Sequence, residues 1–113
     1  MNRSAAQPTR DPVLGEIVRR LVDAFKPERV YLFGSHARGE EGPDSDYDLL
    51  IVVPDDASPE RRRGRLAYEV LRGTGAAADV LVWTRHGFEE RLHLTASLPA
   101  TVEREGRLLY HAA

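Results

Sequence analysis

The sequence contains no cysteine, which excludes disulfides and thiolate metal sites and permits a reducing compartment. It also lacks any apolar run near the ~20 residues that a bilayer span needs. The first ten residues, MNRSAAQPTR, have no apolar central segment of the secretory kind, so residues 1–10 read as a flexible, frayed terminus rather than a targeting signal. An excess of one charge is missing as well: 16 basic and 18 acidic residues leave a net charge of −2. No global field therefore draws the chain onto nucleic acid or anionic lipid. These absences point to the cytoplasm, away from membranes and away from direct nucleic-acid binding. Repeats and linkers are absent too, and 113 residues suffice for one core but not two, so residues 11–113 are expected to form a single domain. With 42% hydrophobic and 30% charged residues, the composition is that of an ordinary soluble domain.

What is present reads as alternating helices and strands. Asp11 followed by Pro12 is a cap-plus-proline helix start, and Leu14, Ile17, Val18, Leu21, Val22 and Phe25 recur on one helical face, predicting a helix over 11–25. Lys26-Pro27 ends it. Arg29 to Phe33 predicts a short strand stopped by Gly34, and Tyr47 to Val53, nearly all apolar after Asp48, predicts a strand covered on both faces. Ser58-Pro59 repeats the helix-start signal, for a helix running through Leu66, Val70 and Leu71 to Gly73-Thr74-Gly75. A third strand is expected at Asp79 to Trp83, short helices at 86–94 and 98–105, and a short closing strand or packed tail at Leu108 to Tyr110. The order implies an α/β (α+β) fold, a small mixed sheet with helices packed against it.

The stretch from Tyr31 to Val53 carries the chemistry. Residues two apart on a strand face the same side, so Asp46 and Asp48 present two carboxylates about 6–7 Å apart along the backbone. Their repulsion amounts to a few kcal/mol at a protein surface, roughly, and calls for a positive partner. Oxygen-only ligands favour Mg²⁺ or Mn²⁺ over zinc, and Mg²⁺ combines a few carboxylates with water and substrate phosphate. Gly34, directly after a strand, lets the backbone approach a ligand, and Ser35 adds a hydroxyl and an N–H where the chain turns towards a helix. If the strand that Asp79 opens lies beside Tyr47–Val53, three carboxylates converge, as two-metal phosphoryl chemistry requires.

Gly34-Ser35, ten intervening residues and Asp46-Tyr47-Asp48 resemble the Gly-Ser-x10-Asp-x-Asp signature of DNA polymerase β-like nucleotidyltransferases. The longer form, Gly34-Ser35-His36-Ala37-Arg38-Gly39 with Ser45-Asp46-Tyr47-Asp48-Leu49, is similar to the minimal nucleotidyltransferase (MNT) domains. The resemblance implies transfer of a nucleoside monophosphate, AMP from ATP, to a hydroxyl, with pyrophosphate leaving. It implies two Mg²⁺ ions (Mn²⁺ as an alternative) at Asp46, Asp48 and Asp79, the triphosphate at Gly34 and Ser35, and Arg38 on a phosphate or bracing the loop. Asp79 would orient or deprotonate the hydroxyl. It further implies a HEPN-domain partner, toward which such proteins act as antitoxins by adding AMP to a tyrosine. Larger relatives carry an extra helical domain over the acceptor; with nothing after residue 113 to supply it, the expectation is an assembly in which a second chain provides those walls.

Two rival functions use the same fold: a binding module that neutralises a HEPN toxin by contact alone, and a nucleotidyltransferase for a small antibiotic, which needs an acceptor pocket. Other conspicuous residues have plainer readings. Arg61, Arg62, Arg63 and Arg65 form a solvated helix face suited to an acidic partner, and Glu40, Glu41 and Asp44 are solvated loop acids. His36 is a water-facing loop residue or a phosphate contact; His86, His93 and His111 have no metal-site spacing. Tyr47 should point to the opposite face from its two aspartate neighbours, into packing, and Tyr31 and Trp83 read as core.

Overall fold

The computed structural model describes residues 11–40, 42 and 46–112, together with the backbone of residues 4–6. Glu41, Asp44 and Ser45 of the signature loop lie outside the described residues. In chain order the elements are β1 (Ser4–Ala6), α1 (Pro12–Phe25), β2 (Arg29–Phe33), α2 (Gly34–Arg38), β3 (Tyr47–Val53), a 3-10 turn (Glu60–Arg62), α3 (Arg65–Val70), β4 (Ala78–Thr84), α4 (Arg85–Glu89), α5 (Leu98–Glu105) and β5 (Arg107–Ala112). No helix among these is long and apolar enough to cross a membrane.

The helix and strand signals act as expected where local chemistry decides. Asp11 caps α1 by accepting from the Val13 and Leu14 amides, Pro12 occupies the first turn, and Lys26 closes the helix in the left-handed region at φ 48°. Leu14, Ile17, Val18, Leu21 and Phe25 are buried along one side, each such side chain contributing roughly 1.5–3 kcal/mol by leaving water.

The strands order as β1-β5-β2-β3-β4, antiparallel except for the parallel pair β3 and β4. β3 is buried from Leu49 to Val53, and alternation divides its side chains between two layers. Leu49, Ile51 and Val53 pack with α1 and with Ala67 of α3, whereas Leu50 and Val52 pack with Tyr31, with Phe88 of α4 and with Val102 of α5. Helices thus cover both faces, which is why β3 reads as a continuous apolar run.

Four expectations are corrected. Ser4–Ala6, read within a frayed terminus, pairs with β5 as an edge strand. The helix over 58–71 is broken into the 3-10 turn and α3, because the chain between them passes close to β4: a Cβ on Gly64 would stand 3.2 Å from the Val80 carbonyl oxygen. The helix at 86–94 stops at Glu89 and continues as turns. The closing strand is longer than Leu108–Tyr110 and sits inside the sheet, between β1 and β2.

Candidate active site

The sheet topology brings one end of three strands together. β2 runs antiparallel to β3, so its last residue, Phe33, pairs with Asp48; β4 runs parallel to β3, so Asp79 pairs with Asp48 from the other side. Register partners share a sheet face, and neighbouring strands lie about 4.8 Å apart. Asp48 and Asp79 therefore stand side by side, with exposed Asp46 at the mouth of β3. The Asp48 carboxyl is held above the usual carboxylate range, first by its partial burial and then by the negative charges of Asp79 and Asp46.

Gly34 fixes the other wall. It adopts φ +74°, and a Cβ there would overlap Asp48 Oδ2 and lie 3.2 Å from its Cγ. Only glycine meets both conditions without strain or displacement of the carboxylate. The turn opens α2, whose N-cap residue Phe33 supplies no side-chain hydrogen bond. Ser35 lies in this first turn, half-buried. Arg38 is exposed, and its Nε donates to Glu40 Oε1 at 2.9 Å; that carboxylate raises the guanidinium pKa further.

Beneath the two aspartates is a tie that sequence reasoning did not find. Tyr47 does point to the face opposite Asp48, as strand alternation requires, and it packs against the α1 layer. Its hydroxyl donates to Oδ2 of Asp11, while Asp11 Oδ1 caps α1 at 3.0 and 3.2 Å. The hydroxyl of Tyr47 is the largest influence lowering the Asp11 pKa. His36, read as a water-facing or phosphate-contacting residue, instead stacks on the Tyr47 ring with centroids 4.2 Å apart. One tyrosine thus joins the start of α1, the signature turn and the mouth of β3. The available signal was the Asp11 cap combined with the alternation that sends Tyr47 toward α1.

The donor set suits a hard divalent ion: it is all carboxylate oxygen, mutually repelling, beside a glycine cradle open to phosphate. Among the described residues, no three His, Cys, Asp or Glu side chains close into a cluster able to hold an ion alone. Such an ion would complete its shell from substrate phosphate and water, as Mg²⁺ commonly does.

Past Asp79, between α3 and the start of β4, an open cleft of about 300 Å³ is lined by Asp46, Asp79, Ala67, Tyr68, Leu71 and Arg72 with residues 76–78 and Val80. Tyr68 is 72% exposed there. The arginine run divides: Arg61 donates to the Phe25 and Lys26 carbonyls at the end of α1, Arg65 faces Glu69, and Arg62 and Arg63 are exposed. Tyr31 is core and stacks on Phe88. Trp83 is only half-buried, with the Arg91 guanidinium 5.3 Å above its ring.

Comparison with known proteins adds family and fold. A family model described as "Nucleotidyltransferase domain" matches residues 14–109. A crystal structure of a toxin–antitoxin with AMP-PNP superposes with a TM-score of 0.57 at 23% identity, covering 83% of this chain and 69% of that one. A mutant of the toxin–antitoxin MntA–HpeT superposes at 0.52 with 18% identity and the same coverage. At these identities the likeness is one of fold. No curated protein matches the chain.

Proposed function

Since the chain belongs to the nucleotidyltransferase domain family, we propose that residues 11–113 form one minimal nucleotidyltransferase domain that transfers AMP from ATP to a tyrosine hydroxyl of a HEPN-type toxin, acting as its antitoxin in the cytoplasm. The observation that carries this reading is the register of Asp48 with Asp79, beside a glycine turn where any Cβ would meet the Asp48 carboxyl. Two structural neighbours being toxin–antitoxin assemblies, one of them with AMP-PNP, supports a protein partner and an adenine nucleotide.

In this reading Asp46, Asp48 and Asp79 hold two Mg²⁺ ions, with Mn²⁺ an alternative. When bound, the ions supply neutralisation of charge on the attacking and leaving oxygens. Gly34 and Ser35 orient the triphosphate through amides and hydroxyl, and Arg38 exchanges Glu40 for a phosphate. The acceptor oxygen forms a bond to the α-phosphorus as the bond from that phosphorus to the bridging oxygen breaks. Pyrophosphate leaves toward Gly34, and the phenol proton passes to Asp79. Little of the barrier is covalent chemistry for the protein; positioning and charge do most of the catalysis.

The test is transfer of label from ATP tagged at the α-phosphate in host lysate, comparing the wild type with an Asp46→Asn, Asp48→Asn variant. A protein band labelled by the wild type alone is expected, with AMP on a tyrosine of the partner. An unlabelled partner that is still captured and inhibited equally by both proteins would replace transfer with neutralisation by contact. Label on an added aminoglycoside, with the purified protein alone, would replace it with antibiotic modification.

A further inference from the structure

The helix α2 carries the Gly34-Ser35 turn but has little of its own to hold it in place. It is five residues long, buries none of them fully, and its N-cap residue Phe33 supplies no side-chain hydrogen bond. A helix this short has no stability of its own in water, so its position is set by what it touches. Ala37 packs against the core layer that contains α1. His36, half-buried, stacks on the ring of Tyr47 with centroids 4.2 Å apart and planes inclined by 20°. The platform beneath His36 is fixed at both ends. Tyr47 opens β3 between Asp46 and Asp48, and its amide donates at 3.0 Å to the carbonyl of Ala77, one residue before the strand that bears Asp79. Its hydroxyl donates to Asp11, whose other carboxylate oxygen caps α1.

We propose that His36 and Tyr47 are positioning residues for nucleotide binding: their stack holds the Gly34-Ser35 turn at the distance from Asp48 and Asp79 that a metal-bridged triphosphate requires. The inference rests on the nucleotidyl-transfer reading above. A triphosphate held at one end by the turn and at the other through carboxylate-bound metal needs both halves in one geometry, and a misplacement of about 1 Å is costly. The sheet fixes the entry to the turn, through Phe33 paired with Asp48. The stack, with Ala37, fixes its exit beyond Ser35. Neither ring needs to touch the nucleotide. Tyr47 faces away from Asp48, toward the α1 layer, and acts through α2. Releasing α2 would weaken apparent affinity in proportion to the fraction of molecules whose turn remains in place.

The experiment measures, by calorimetry, the binding of Mg²⁺ together with an ATP analogue that cannot be cleaved between the α and β phosphates, under conditions where urea denaturation shows each protein fully folded. His36→Ala is expected to raise the Kd by up to about tenfold, the most that one ring stack supplies. His36→Phe, which keeps a flat ring, should bind as the wild type does. Tyr47→Phe keeps the stack but frees the platform from Asp11, and should bind severalfold more weakly. An unchanged Kd in His36→Ala would overturn the proposal, whatever that variant's stability. So would a His36→Phe as weak as His36→Ala, which would make the imidazole a direct phosphate contact. Should His36→Ala not fold, Tyr47→Phe decides, and an affinity equal to that of the wild type would overturn the proposal. No binding by the wild type would remove the nucleotidyl-transfer reading and the proposal with it. Binding that depends on the stack, with no label transferred to any acceptor, would leave the positioning role standing while the transfer reading fails.

Discussion

At the scale of single residues, Asp48 stands where its own negative charge is disfavoured. It is partly buried, Asp79 repels it from the neighbouring strand and Asp46 adds charge from just before its own. Burial comes first among these effects, and all three raise its pKa above the ordinary 3.8. A carboxyl whose folded pKa is raised favours the native state in its protonated form. Its contribution is fully present below 3.8 and is lost as pH rises through the higher folded value. At neutral pH the charged Asp48 therefore destabilises the ligand-free protein, and Asp48→Asn should unfold at a higher urea concentration than the wild type. The advantage should shrink as pH falls toward and then below 3.8, as the carboxyl becomes neutral like the amide. Urea midpoints across that range measure it; an Asn variant less stable than the wild type at neutral pH would mean that the carboxylate is already satisfied without a ligand.

At the scale of elements, Tyr47 ties three pieces that the sequence separates: α1 through Asp11, α2 through His36, and its own strand. Tyr47→Phe keeps the stack and removes the hydrogen bond, at a cost of roughly 1 kcal/mol at neutral pH. Because the Tyr47 hydroxyl is the first cause of the lowered Asp11 pKa, this stabilisation is present above 3.8 and is lost as pH falls through the lower folded value. The two proteins should therefore differ in urea midpoint at neutral pH and converge in acid. Equal midpoints at neutral pH would show that the bond contributes nothing. Elements decided by local chemistry were legible in the sequence: Asp11-Pro12 opens α1, α5 fills the helix expected over 98–105, and the apolar run of β3 has its expected ends. The insertion of β5 between β1 and β2 was not, since strand neighbours are set by pairing between residues far apart in the chain. The break at Arg63, which turns extended just before Gly64 passes close to the Val80 carbonyl of β4, was hidden for the same reason. For the site, strand alternation led the sequence reading to put Asp46 and Asp48 on a common face, but β3 begins only at Tyr47, so Asp46 stands just outside the strand. The pairing of Asp79 with Asp48 was conditional on which strands adjoin, and only the parallel register supplies that.

At the scale of the whole molecule, the same arrangement separates stability from function. The core lies in two layers on either side of β3, while the carboxylates sit at the strand ends beyond Leu49. Charge repulsion there is a cost borne by the folded chain when no ligand is bound, and a cation bridged to a triphosphate would remove it. Mg²⁺–ATP should consequently stabilise the wild type. At a hundredfold excess over its Kd a ligand adds about 2.7 kcal/mol, which in a domain of this length is about 10 °C in Tm. The Asp46→Asn, Asp48→Asn variant should start from a higher Tm without ligand and rise by only a few degrees with it. Opposite signs in one pair of melting curves, a gain in the free state and a loss in the bound one, are what a ligand-adapted carboxylate cluster requires. Equal shifts in the two proteins would separate nucleotide binding from these carboxylates and leave Gly34 and Ser35 as a phosphate turn without its metal.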